Sequence, residues 1–154
     1  MKKIYIISGE ASGDLHAANL VSEFKKQNNS LEFRAWGGDR LRNEGVIIDK
    51  DIKELAFMGF LEVLLNIRTI FKNMRSCKEN LLNFKPDLLI LVDYPGFNLR
   101  IAKWSKSRGI CVYYYISPQI WAWKESRIHL IKKTVERMYC ILPFEKDFYM
   151  KHSL

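Results

Sequence analysis

The feature that most constrains the fold is the uninterrupted apolar run Leu88–Val92, which reads LLILV. A strand with one solvent-exposed face alternates apolar and polar residues, whereas this run places apolar side chains on both faces. Such a strand needs a covering layer on each side, and parallel sheets obtain those layers from crossover helices. The run therefore predicts the central strand, at 87–92, of a parallel sheet with helices on both faces.

Short β-rich runs alternate with longer amphipathic segments along the rest of the chain, which predicts one α/β domain. The further predicted strands are Lys3–Ser8, Glu32–Trp36, Cys111–Ile116 and Met138–Leu142. The predicted helices are Leu15–Gln27, Asp39–Glu44, Phe60–Asn83, Leu99–Lys106, Arg127–Val135 and Glu145–Lys151.

The composition excludes several classes of protein. A content of 48% hydrophobic and 27% charged residues excludes disordered and fibrous chains. No apolar run approaches the roughly 20 residues of a transmembrane helix, and the N-terminal apolar stretch is broken at Ser8-Gly9-Glu10. The cysteines, Cys77, Cys111 and Cys140, form no CxxC pair. The chain is therefore expected to be cytoplasmic unless it is bound to a membrane surface, and its thiols are expected to be reduced.

The net charge of +8 is unevenly distributed. Residues 1–60 carry nine basic and nine acidic residues, whereas residues 61–154 carry sixteen basic and eight acidic ones. This asymmetry predicts an anionic partner for the later part. The basic residues border an apolar helix face and do not form a stripe with interleaved aromatics, so no nucleic-acid partner is expected.

The predicted helix Phe60–Asn83 carries that apolar face. At about 100° per residue, seven of its apolar side chains fall within an arc of roughly 120°, with cations directly beside it. These seven are Phe60, Val63, Leu64, Ile67, Ile70, Phe71 and Met74. This arrangement is typical of a helix that enters the headgroup region of an anionic membrane, although a helix packed on its own sheet also has an apolar face. Leu61 and Leu65 lie outside the arc and favour the membrane hypothesis. The predicted membrane-facing residues are Leu61, Val63, Leu64, Ile67, Ile70 and Phe71, with Arg68, Lys72 and Arg75 beside them.

Polar and glycine-rich segments follow each predicted strand. Ligands of open α/β sheets bind at the carboxyl ends of the strands, so these segments are expected to share one binding rim. They are Gly9–Asp14, Gly37–Asp39, Asp93–Asn98, Ser117–Trp121 and Pro143–Glu145.

Three of these segments contain residues suited to chemistry. Asp93 ends the apolar strand, where a carboxylate is either a general base for a substrate hydroxyl or a cap for the next helix. Gly9–Asp14 either brings backbone N–H groups to an anion or a sugar, or is a capped turn without a ligand. Ser117–Lys124 places two Trp beside a cation, which suits a sugar phosphate or a buried structural corner. The histidines share no metal-ligand spacing, so no metal site is predicted.

Five segments together resemble lipid-A-disaccharide synthases in order and spacing. They are GEASGD at 9–14, LAFMGFLEVL at 55–64, DYPGFN at 93–98, SPQIWAWK at 117–124 and LPFEK at 142–146. The resemblance covers nearly the whole chain but only the N-terminal, acceptor-side half of that family. It implies that residues 1–154 form a Rossmann-like three-layer domain with a mostly parallel sheet, the N-terminal half of a glycosyltransferase type B fold. It also implies that the C-terminal UDP-sugar-binding domain is absent here.

The resemblance further implies an inverting transferase of lipid A biosynthesis. Such an enzyme joins UDP-2,3-diacylglucosamine to 2,3-diacylglucosamine 1-phosphate and releases UDP, without a metal or another cofactor. It works on the inner face of the inner membrane, and its donor binds through the missing domain, so this chain alone is expected to be inactive. Asp93 matches the family's candidate base. The residues that match cleft-lining motif positions, and are predicted to bind substrate, are Glu10, Ser12, Gly13, Asn98, Ser117, Gln119 and Arg127.

Two positions depart from the family's pattern. Lys124 stands where an Arg is common, which keeps the positive charge but removes the two parallel hydrogen bonds that a guanidinium can donate. Arg40 follows Gly37-Gly38-Asp39, and the Pro often found after the glycines is missing. The alternative hypothesis is a nucleotide-binding Rossmann-like module without transferase activity. The absence of GxGxxG, and of an acidic residue at the end of the second strand, argues against it.

Overall fold

Strands and helices alternate along the chain, and the computed structural model describes them over residues 2–57, 67–120 and 125–152. The strands are β1 (Lys2–Ser8), β2 (Leu31–Gly37), β3 (Ile47–Asp51), β4 (Leu88–Val92), β5 (Cys111–Tyr115) and β6 (Arg137–Tyr139). The helices are α1 (Ala11–Gln27), α2 (Asp39–Asn43), α3 (Ile52–Phe57), α4 (Ile67–Phe84), α5 (Pro95–Lys106), α6 (Ile128–Thr134) and α7 (Pro143–Lys151). A 3₁₀ turn at Glu125–Arg127 precedes α6.

The strands form one parallel sheet in the order β3-β2-β1-β4-β5-β6. Its central strand β4 sends alternate side chains into two separate cores. Leu89 and Leu91 join the core under α4, α5 and α6, whereas Ile90 and Val92 join the core under α1 and α2. This is the three-layer arrangement that the run of apolar residues predicts, and the predicted α/β Rossmann-like fold is confirmed.

The direction in which the chain adds strands reverses between β1 and β4. From β1 the chain moves outward through β2 and β3, then returns to place β4 on the other side of β1. In open α/β sheets, the carboxyl ends of the strands at such a reversal are the usual place for a ligand. Gly9 and Asp93 are the first residues after the two strands.

Three strands in the outer parts of the sheet, β3, β5 and β6, differ from the prediction. Strand β3 is absent from it, because IIDKD lies at the sheet edge, half-exposed, without an apolar run or an alternating pattern. Strand β5 ends at Tyr115, since Ile116 has a left-handed backbone with φ 67°. At the opposite edge, β6 ends at Tyr139 and not at Leu142.

Three helices begin earlier than predicted, among them α7, which begins at Pro143 whereas the prediction placed its start at Glu145. Helix α1 begins at Ala11 and α5 at Pro95, whereas the prediction placed their starts at Leu15 and Leu99. Proline needs no N–H partner and has a preset φ, so Pro95 suits the first turn of a helix. Gly13 lies in the first turn of α1, where an added Cβ would stand 3.2 Å from the Cβ of Ser8. The predicted helix start at Phe60 lies outside the described residues.

The cysteines are free thiols. Burial raises the pKa of Cys77, which keeps this thiol protonated at neutral pH. Within 2–57, 67–120 and 125–152, no helix combines the length and the apolar character needed to cross a membrane.

Candidate functional site

Asp93 stands at the carboxyl end of β4 in a left-handed backbone conformation. Its φ is 45°, and Tyr94 follows with φ 47°. L-residues rarely adopt this region, so the surrounding structure must hold them there. The Asp93 carbonyl accepts hydrogen bonds from the Tyr114 hydroxyl, at 2.5 Å, and from the Asn98 amide nitrogen, at 2.8 Å. These contacts fix the backbone that carries the Asp93 carboxyl.

A cavity of about 390 Å³ opens beside Asp93 at the rim of the sheet. It brings together four of the predicted site residues, from the ends of β4 and β5 and from the 3₁₀ turn. Its lining consists of Asp93, Pro95, Ile116, Ser117, Pro118, Gln119, Ile120, Arg127 and Ile141. The volume is within the usual range for a small-molecule site. Trp121, Trp123 and Lys124, which complete the predicted Trp-rich segment, lie outside the described residues.

The cavity holds one carboxyl and one guanidinium with different chemical uses. Partial burial raises the pKa of Asp93, and a backbone hydrogen bond from Tyr94 opposes this more weakly. A carboxylate with a raised pKa is a better proton acceptor than an exposed one. Arg127 offers a permanent positive charge to an anionic group. In the described part of the chain, His, Cys, Asp and Glu side chains form no cluster suited to a metal ion.

Ser117 is oriented by Glu145, a fully buried carboxylate in the first turn of α7. The Ser117 hydroxyl donates to Glu145 Oε2 at 2.7 Å, and the backbone N–H groups of Ile141 and Leu142 donate to the same oxygen at 3.2 and 3.1 Å. Because its proton is committed to Glu145, Ser117 can offer the cavity an acceptor but no donor. Glu145 lies in a predicted rim segment, yet no pattern of spacing indicated this pairing.

The predicted residues of the first loop lie apart from this cavity. Glu10 and Ser12 are exposed at the start of α1, and Gly13 is buried in its first turn. The ring of Tyr94 packs so closely on this loop that a Cβ at Gly9 would stand 2.6 Å from the Tyr94 Cγ. Glycine at this position therefore permits the close approach of the loops that follow β1 and β4.

Two buried side chains, Asp14 and Asn98, hydrogen-bond backbone groups near the rim of the sheet. Asp14, the last residue of the GEASGD segment, accepts hydrogen bonds from the N–H groups of Gly38, at 2.7 Å, and Arg40, at 3.0 Å. It thereby ties α1 to the N-terminus of α2. Asn98 is fully buried and donates to the carbonyls of Val92 and Asp93, so it lies beneath the cavity and does not line it.

The predicted membrane face is described only in part. Phe71 is 68% exposed, Arg68, Lys72 and Arg75 are exposed, and Ile70 is half-buried. Helix α4 packs on the sheet through another face, which contains Asn73, Cys77 and Leu81. The side chain of Ile67, and Leu61, Val63 and Leu64 entirely, lie outside the described residues.

A family model and similar known sequences point to the same family. The family model described as lipid-A-disaccharide synthetase matches residues 4–154. A lipid-A-disaccharide synthase of Myxococcus xanthus is 48% identical over 147 residues, which make up 96% of this chain and 38% of the relative. Lipid-A-disaccharide synthase 1 of Legionella pneumophila is 48% identical over 148 residues, with the same shares. The chain thus spans 38% of the length of these relatives.

Solved structures show the same fold at low sequence identity. A UDP-GlcNAc 2-epimerase of Neisseria meningitidis, bound to UDP-GlcNAc, superposes with a TM-score of 0.69 and is 14% identical. A putative UDP-N-acetylglucosamine 2-epimerase of Listeria monocytogenes superposes with a TM-score of 0.72 and is 12% identical. Each match covers all of this chain and less than half of the other, 43% and 42%. At this identity the likeness concerns the fold alone.

Proposed function

Because the chain belongs to the lipid-A-disaccharide synthetase family, we propose that it is the acceptor-side domain of an inverting glycosyltransferase. The complete enzyme joins UDP-2,3-diacylglucosamine to 2,3-diacylglucosamine 1-phosphate and releases UDP. The family match over residues 4–154 is the observation that carries this proposal. The UDP-sugar donor binds through a second domain, which the remaining length of the relatives supplies.

In the proposed reaction Asp93 is the general base. Its carboxylate takes the proton from the acceptor hydroxyl while that oxygen attacks the anomeric carbon of the donor, and UDP leaves from the opposite side. A single displacement of this kind inverts the anomeric configuration. The position of Asp93 at the cavity edge and its raised pKa support this role.

The other polar residues of the cavity bind the acceptor in this proposal. Arg127 faces an anionic group such as the acceptor phosphate, and the exposed amide of Gln119 hydrogen-bonds sugar hydroxyls. Ser117 accepts a hydrogen bond from a sugar hydroxyl, because its own proton is held by Glu145. The chain's own residues thus supply a base and an acceptor pocket, and no metal or cofactor enters the proposed step.

The activity is testable in a chimaera. Replacing the 147 aligned residues of the Myxococcus xanthus relative by this chain is expected to give an enzyme that releases UDP and forms the disaccharide. The isolated chain is expected to be inactive, because catalysis requires donor and acceptor to be held in register in a cleft between two domains. The measurement is UDP release, with the unmodified relative as the positive control. A folded chimaera without turnover, or turnover by the isolated chain, contradicts the proposal.

We also propose that the face of α4 with Phe71, Arg68, Lys72 and Arg75 contacts the inner face of the inner membrane. A large apolar side chain beside three exposed cations suits the headgroup region of an anionic bilayer. Both proposed substrates carry acyl chains, so the enzyme has to meet them at a membrane surface. Peripheral attachment through this helix would bring the acceptor to the rim of the sheet.

Serine substitutions separate a lipid-facing helix surface from a core surface. Phe71→Ser is expected to leave the melting temperature nearly unchanged and to weaken binding to anionic vesicles, because this side chain is 68% exposed. Leu81→Ser, on the packed face of the same helix, is expected to cost about 2–5 kcal/mol of unfolding free energy. Thermal melts and vesicle co-sedimentation measure both effects. A Phe71→Ser chain that is as unstable as Leu81→Ser, or that binds vesicles like the parent, contradicts the proposed membrane face.

A further inference from the structure

We propose that Tyr114 is a positioning residue for Asp93, whose left-handed backbone it holds in the orientation that presents the carboxyl to the cavity. Tyr114 lies on β5, next to β4 in the sheet, and its hydroxyl donates to the Asp93 carbonyl at 2.5 Å. The inference rests on the proposed function, in which Asp93 is the base. It adds a residue that lies outside the predicted rim segments and outside the five segments that resemble the family.

The backbone around Asp93 requires such a constraint. Asp93 and Tyr94 are consecutive non-glycine residues with φ of 45° and 47°, and Ile116, at the end of the neighbouring strand, has φ 67°. Left-handed conformations of L-residues are disfavoured and persist only where the surrounding structure imposes them. Contacts with the surrounding structure must therefore hold Asp93 in this conformation.

The constraint acts on the Asp93 carbonyl. Two donors converge on this single oxygen, the Tyr114 hydroxyl at 2.5 Å and the Asn98 amide nitrogen at 2.8 Å. Both donor side chains are fully buried, which limits the access of water to these bonds. Holding the carbonyl fixes the peptide plane between Asp93 and Tyr94, and with it the backbone angles on both sides of that plane.

The hydroxyl of Tyr114, and not its bulk, distinguishes this residue from a core aromatic. In the run Tyr113-Tyr114-Tyr115 only the middle side chain enters the core under α5, because strand residues alternate between faces. The ring could be replaced by Phe at almost equal volume, so packing alone does not require an oxygen there. Burial raises the pKa of Tyr114 well above its ordinary value, which keeps the hydroxyl protonated and a donor.

The test compares Tyr114→Phe with Tyr5→Phe in this chain. Tyr5 is a second fully buried tyrosine, whose hydroxyl donates to Asp49 at 2.8 Å away from the cavity. Two quantities are measured by NMR: the pKa of Asp93, from carboxyl-carbon titration, and the coupling constants that distinguish positive from negative φ. We expect Tyr114→Phe to reduce the left-handed population of Asp93. We also expect its pKa to fall toward the ordinary value, because the freed carboxyl turns into water.

Tyr5→Phe is expected to leave both quantities at the parent's values, even if the two variants lose similar stability. A folded Tyr114→Phe chain with the parent's Asp93 pKa and couplings overturns the proposal, as does an equal change in Tyr5→Phe. In the parent chain the Tyr114 hydroxyl proton is expected to exchange slowly with water, and fast exchange overturns the proposal without any variant. None of these measurements depends on turnover, so they separate this inference from the proposed transferase activity.

Discussion

In the chimaera with the Myxococcus xanthus relative, Asp93→Asn is expected to lower kcat by about 10²–10⁴-fold, the usual range for loss of a general base. Asparagine keeps the volume of the side chain but cannot accept the acceptor's proton. KM for the acceptor is expected to change little, because the cavity retains Ser117, Gln119 and Arg127. Initial rates of UDP release as a function of acceptor concentration measure both parameters.

The matched control is Asp87→Asn. Asp87 directly precedes the N-terminal end of β4, whereas Asp93 follows its C-terminal end. The Asp87 carboxylate accepts a hydrogen bond from the Lys3 backbone N–H at 2.8 Å, away from the cavity. This variant is expected to keep the parent's kcat, because it makes the same chemical change away from the reaction. Near-normal turnover by a folded Asp93→Asn enzyme would reduce Asp93 to a structural residue at the start of α5.

The pKa of Asp93 has opposite consequences for activity and for stability. Partial burial raises this pKa. As pH falls, the proton-accepting form is therefore expected to be lost, and kcat/KM of the chimaera is expected to fall, at a higher pH than for an exposed Asp. A folded-state pKa above the unfolded value contributes stability below the unfolded pKa, and that contribution is lost as pH rises through the folded pKa. Asp93→Asn removes this charge and is therefore expected to melt no lower than the parent at pH 7. A lower melting temperature for Asp93→Asn than for the parent would show that contacts stabilise the Asp93 carboxylate in the folded state.

Replacing Arg68, Lys72 and Arg75 together by Gln is expected to weaken binding to anionic vesicles by about 10²-fold. The estimate follows from about 1 kcal/mol for each basic residue near a charged surface, with about 1.4 kcal/mol for each factor of ten. Binding to neutral vesicles is expected to stay unchanged, since the apolar contact through Phe71 remains. Co-sedimentation with vesicles of increasing phosphatidylglycerol content measures the difference.

A second triple variant controls for the loss of net charge. Other helices carry exposed lysines, namely Lys132 and Lys133 on α6 and Lys151 on α7. Replacing these three by Gln removes as many positive charges as the α4 variant does. This control is expected to bind anionic vesicles much more tightly than the α4 variant. Equal weakening by both variants would mean that vesicles attract the chain through its overall charge of +8, and the proposed face would be wrong.

The layered architecture could be predicted because burial on both faces leaves a direct trace in the sequence. LLILV at 88–92 has no polar alternation, and β4 sends alternate residues into two cores. The edge strand β3 leaves no such trace, since one of its sides is unpaired and its IIDKD sequence is half-exposed. The early starts of α1 and α5 were missed because glycine and proline in their first turns resemble loop residues.

What the sequence by itself determined is the set of residues at the carboxyl ends of the strands, among them Asp93, Ser117 and Gln119. Parallel strands bring those ends to one rim whatever the details of packing. Only the tertiary structure decided which partners hold them, as in Tyr114 to Asp93 and Ser117 to Glu145, bonds that join residues 21 and 28 positions apart. Hydrogen bonds over such distances depend on which strands and helices become neighbours and on how the backbone turns at each strand end. Local patterns of residue type carry no information about either.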